Sequence, residues 1–169
     1  MDASTGRGSG KSLLDLVVGI EAGVIGALVT LAWFALLSPI IGDPWWLIPN
    51  LFASHFYNEH QVRSGAGVVT LVGAAVHMIL SGVVGAINGI FTPGGRLFGL
   101  GIAILWYGLC YFFLWKKWAP LLLLYGSQPI LMTGWFLFGS TLGWHPWFVA
   151  SATGDAIEHA TERPPDPAS

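Results

Sequence analysis

The sequence predicts an all-α polytopic membrane protein, a four-transmembrane-helix bundle with a short interfacial helix between the first and second spans. Three observations carry this reading. Four long apolar stretches, about residues 13–41, 67–91, 97–117 and 119–147, hold almost no charge. Runs of ~20 apolar residues, rising 1.5 Å each, cross a ~30 Å hydrocarbon core. The chain is 54% hydrophobic and 9% charged, with a mean hydropathy of +0.66, where soluble domains carry about a quarter charged residues. Aromatic belts flank the stretches: Trp45, Trp46, Trp115 and Trp118 at one face, Trp144 and Trp147 at the other. Indole rings favour the headgroup zone.

Residues 1–12 are Gly/Ser-rich and read as a flexible tail. The apolar run that follows is about twice the ~7–15 residues of a cleavable signal core, so the first span is expected to stay as an anchor. It starts near Leu13, with Ser12 as N-cap and Asp15 in the first turn. Pro39 ends it, because the residue before a proline disfavours helix. Gly19, Gly23 and Gly26, with Ala22 and Ala27, give it a small-residue face that allows close helix approach in lipid. The connection is opened by Asp43-Pro44-Trp45-Trp46, and the segment 44–57 is too short to cross; it is expected to lie along the membrane interface.

The second span sets His77, Ser81, Gly85 and Asn88 at helical spacing on a single face. Thr92-Pro93-Gly94-Gly95 is a turn signal, so the second and third spans are expected to be antiparallel neighbours. Lys116-Lys117-Trp118 caps the third span. Gln128-Pro129 interrupts the fourth, where proline forces a kink or a new helix start. Residues 1–12, 13–150 and 151–169 thus read as tail, transmembrane domain and a polar, proline-rich disordered tail.

Composition also excludes classes of function. A net charge of −2 without a basic block gives no nucleic-acid footprint. Cys110 is the one cysteine, so an intramolecular disulfide is impossible. Gly8-Ser9-Gly10-Lys11-Ser12 lacks the leading glycine and the strand of a phosphate loop. His55, Glu59 and His60 depart from zinc-protease spacing by one residue, and a zinc site needs three or four convergent ligands. A bis-histidine haem needs two axial ligands at one depth, and only His77 is central. No metal and no cofactor is expected.

The informative residues are ionisable groups inside spans, which are costly and usually face a bundle interior or water. Counting 1.5 Å per residue, Glu21 lies roughly 12 Å below the N-terminal face, Ser81 roughly 15 Å and His77 roughly 21 Å. Tyr107 falls near Ser81 in depth. Glu21, His77, Ser81, Asn88 and Tyr107 are therefore the candidate buried polar cluster. No nucleophile–base pair is visible, so no enzyme is expected. The first expectation is an accessory or interaction protein of the bilayer, working with a membrane-protein partner or a second copy of itself. The alternative is an oligomeric transporter or channel protomer handling protons or ions through Glu21 and His77. Compactness places the chain in a bacterial inner (plasma) membrane. Positive charges balance across the two faces until Arg163 tips the termini to the cytoplasmic side.

Overall fold

The computed structural model describes residues 5–91 and 96–144, with side chains from Leu13 onward in the first helix and from Leu97 onward after the gap. The expected C-terminal tail, Trp147 and the 92–95 turn lie outside these. No strand occurs among the described residues. The chain runs through α1 (Thr5–Leu37), α2 (Leu47–Phe52), α3 (Glu59–Arg63), α4 (Val68–Phe91), α5 (Arg96–Leu109), α6 (Trp115–Trp118), α7 (Pro120–Tyr125) and α8 (Gln128–Leu142). A π-helical turn, Cys110–Leu114, joins α5 to α6 as one continuous rod. Three segments are long and apolar enough to cross a membrane: Leu13–Ile41, Val68–Phe91 and Leu97–Trp118.

Helix α1 begins at Thr5, eight residues before the expected Leu13. Once a helix is nucleated, each further residue adds one hydrogen bond for two dihedrals fixed, so the Gly/Ser-rich run extends the helix rather than ending it. α1 is the centre of the bundle and packs on α4 along one side and on α8 along another. The expected small-residue face makes the first contact. A methyl group added at Gly19 would overlap the Gly85 carbonyl, and one at Gly23 the Ser81 carbonyl. Contact this close lets backbones pack by dispersion, which matters where lipid is as apolar as leucine. On the α8 side, Thr30 donates to the Gly26 carbonyl at 2.7 Å and meets the Gly134 carbonyl at 3.4 Å.

The second and third spans are not packed neighbours. α4 packs on α1 and α2, whereas α5 packs on α8. The order across the bundle is therefore α4, α1, α8, α5, with the sequence-adjacent pair at its two ends. A short turn fixes where two helix ends meet, not which faces join, and the glycines of α4 are already committed to α1.

The 44–57 segment also differs from expectation. Every residue of α2 is buried, so it is tucked into the bundle rather than laid out with an exposed face. Its anchor is Asn50, fully buried. The Asn50 amide donates to the carbonyls of Val62 (2.8 Å) and Gly65 (2.9 Å), and its oxygen accepts from the Thr70 hydroxyl at 2.6 Å. Gly73 admits α2, since a methyl group there would overlap the Pro49 carbonyl. The interruption expected at Gln128-Pro129 is present: Gly126 and Ser127 are extended, and α8 starts at Gln128 with Pro129 in its first turn.

Candidate functional site

Helix α4 turns one polar stripe inward. His77 (2% exposed), Ser81 (0%) and Asn88 (2%) all lie on its buried face. Each meets different neighbours. The His77 ring stacks on Phe52 of α2 (centroids 4.7 Å apart, 22° between planes). It meets Trp135 of α8 edge-on at 5.8 Å and is tilted against Phe34 of α1 at 6.2 Å. Asn88 donates to the Leu142 carbonyl at 3.5 Å, covering one of the orphan carbonyls at the end of α8.

The other two members of the expected cluster lie elsewhere. Tyr107 donates to the Gln128 side chain at 3.2 Å, where α5 meets the first turn of α8. Glu21 is exposed on the outer surface of α1. Matching depths gave its height but not its direction. Gly19 and Gly23 face α4, and Glu21, two residues from each, points about 200° away from both. The five residues are therefore not one cluster.

What the fold does build around His77 is a cleft of about 220 Å³ between α4 and the α5–α6 rod. It exists because those two elements do not pack on each other. Its back wall is Trp135, its rod side includes Trp106 of α5 and Cys110 of the π turn, and His55 and Trp118 also line it. The His55 ring stacks on Trp118 at 5.0 Å and 17°. The π turn contributes Cys110 and Leu114 to the wall, and π turns recur at functional sites because they re-aim side chains within a helix. Among the described residues, His77 Nε2, Trp106 Nε1 and Trp135 Nε1 are buried with no hydrogen-bond partner. Orphan donors of this kind are uncommon in native interiors. No Asp, Glu, Lys or Arg lines the cleft.

No known family matches this chain, and no curated protein or solved structure resembles it.

The candidate residues read from the sequence include neither Trp106 nor Trp135. The missed signal was their chemistry: an indole N–H can only donate, and a buried one usually finds an acceptor. The segment around His55 forms a different site. Glu59 pairs with Arg63 at 3.3 Å and accepts from the Tyr125 hydroxyl, while the Arg63 guanidinium sits 4.9 Å above the Tyr125 ring. This ties α3 to α7. The Tyr125 hydroxyl, and after it Arg63, hold the Glu59 carboxyl below its ordinary range. No group of three or more His, Cys, Asp or Glu side chains is placed to hold a metal among the described residues.

Proposed function

We propose that this chain is a four-span membrane protein with a non-enzymatic accessory role, docking a membrane-protein partner through the outer face of α1. The observation that carries the reading is Glu21. It lies inside an apolar span, about two turns from Asp15, and turns outward between the exposed side chains of Val17 and Leu28. An ionisable residue facing hydrocarbon is costly unless a polar group meets it. A partner helix with a donor or a cation at that depth would supply one. The relay alternative loses its support, since Glu21 and His77 do not share a surface. The fourth crossing in this reading is α7 and α8, with α8 running antiparallel to α1.

Assembly in native membranes tests this. Glu21→Gln removes the charge and Glu21→Asp keeps it. The expected result is a larger complex on native gels for the wild type and Glu21→Asp, reduced at least threefold for Glu21→Gln, with thermal melting unchanged in all three. Equal complex formation in all three variants would refute a docking role for Glu21.

A further inference from the structure

We propose that the groove between α1 and α4 seats one transmembrane helix of a different protein, a helix that carries a Lys or Arg level with Glu21. This names the partner of the outer-face docking surface and rests on that reading.

The spacing of the outer face sets the geometry. Val17, Glu21, Val24 and Leu28 follow one another at steps of four, three and four residues, the ~3.5-residue repeat of a left-handed helix seam. Val17 and Leu28 are 53% and 52% exposed, Glu21 is exposed and Val24 is half-buried. The seam is therefore uncovered over about three turns of α1. Beside it lies a shallow groove of about 350 Å³, with Ile20 and Val24 on the α1 side and Gly82, Val83 and Ala86 on the α4 side. The groove is open because Gly82 and Ala86 are small. A methyl group added at Gly82 would stand 3.7 Å from Val24 and 3.8 Å from Ile20, in ordinary contact. A further helix laid here packs its side chains over small residues, which is how helices associate where lipid offers no hydrophobic gain.

The charge of the seam selects its occupant. Glu21 is the only charged residue between Asp15 and Asp43, and no hydrogen bond or ion pair among the described residues reaches it. Charges inside a membrane pair with one another, and an uncharged donor would leave the carboxylate's charge uncompensated in hydrocarbon. A second copy of this chain does not bring the missing cation. Copies inserted the same way round pair about a two-fold axis, with α1 parallel to α1, which sets Glu21 against Glu21. Of the seven Lys and Arg residues, only Lys116 and Lys117 fall within the three apolar segments, in the last turn of the third. The counter-charge therefore comes from a helix of another protein. A single polar residue in an apolar seam also fixes register, so the partner's basic residue is confined to the level of Glu21.

The test uses the full chain in phosphatidylcholine vesicles with a synthetic, tryptophan-free Leu/Ala transmembrane helix. The helix is dansylated at one end and carries a single Lys about eight residues from that end, the depth of Glu21; a control helix has Leu in its place. Energy transfer from the chain's tryptophans to dansyl reports association. The expected result is binding of the Lys helix about three- to tenfold tighter than of the Leu helix, the range of a polar contact between helices in lipid. Glu21→Gln should bind both equally. Ala86→Phe fills the groove and should weaken both by about threefold or more. Val83→Phe, at a position 51% exposed, decides if Ala86→Phe fails to fold. Equal binding of the two helices by the wild type would overturn a basic partner, and unchanged binding by the groove variants would overturn the seat. Energy transfer between two differently tagged copies of the chain, lost in Glu21→Gln, would mark self-association and overturn the proposal as well. The outer-face reading is judged separately, by whether Glu21→Gln removes the complex in native membranes.

Discussion

Replacing Asn50 should loosen the wall of the cleft from a distance. The side chain is fully buried, and its three hydrogen bonds tie α2 to the Val62–Gly65 backbone and to the first turn of α4. Each such bond contributes about 1 kcal/mol net, and an orphaned buried group costs ~1–3 kcal/mol. Thr70→Val removes two bonds, the one donated to Asn50 and the one accepted from the Gly67 N–H, so a loss of about 2 kcal/mol is expected. Asn50→Leu keeps the volume but strands two carbonyls and a hydroxyl, so about 2–4 kcal/mol should be lost. Asn50→Asp should be worse than leucine, because it turns an acceptor toward two carbonyl oxygens that needed donors. The assay is unfolding of the purified chain in nanodiscs, by heat and by denaturing detergent. Because α2 carries Phe52 onto His77, a second signal should follow: changed tryptophan emission from Trp135 in the folded Asn50→Leu protein. Stabilities of Asn50→Asp and Asn50→Leu within ~0.5 kcal/mol of wild type, the range of an ordinary surface substitution, would show that α2 is held by something else.

Three further outcomes are expected. Gly85→Val should destabilise the α1–α4 seam by about 3 kcal/mol, because a side chain there meets the Gly19 carbonyl and the Gly23 backbone; denaturation of the purified variant checks it. Gly101→Ala, where a methyl group meets nothing within 4 Å, should instead stabilise by up to ~1 kcal/mol through helix propensity. The α3–α7 tie should be pH-dependent. Since the Glu59 carboxyl is held below its ordinary range, its stabilisation is complete above that range and is lost as pH falls through the native value. Hydrogen exchange across residues 59–63 should rise on acidification in the wild type, and Tyr125→Phe should show most of that rise already at neutral pH.

The sequence carried the membrane class plainly, because uncharged length is a one-dimensional property and three spans follow from it. The inward stripe of α4 was equally legible: His77, Ser81, Gly85 and Asn88 share a face by spacing alone, and all four are buried. Direction was harder. Glu21 was placed by depth, although Gly19 and Gly23 already marked the opposite face of the same helix as the packed one. Neighbour choice was not legible at all. A short turn after Phe91 suggests a hairpin, yet the partner of α5 depends on which surfaces complement in three dimensions. The cleft escaped for the same reason, since it is a gap left by that pairing and not a motif. Asn50 was read as the polar side of an interfacial helix. Its actual partners, twelve to twenty positions away, lie beyond the reach of local periodicity.

The order of helices across the bundle also bears on how the chain is made. α1 and α4 emerge first and already share their glycine seam, so that pair can close while synthesis continues. The α5–α6 rod then enters the bilayer with no packed helix partner, because α8 has not yet been made. It must wait in lipid, its aromatic wall bare, until the last helix arrives and slots between it and α1. A ribosome stalled after Trp118 should therefore present a finished hairpin beside a free third span. The cleft takes its back wall from Trp135 of α8, so among the described residues it is completed only when that helix arrives.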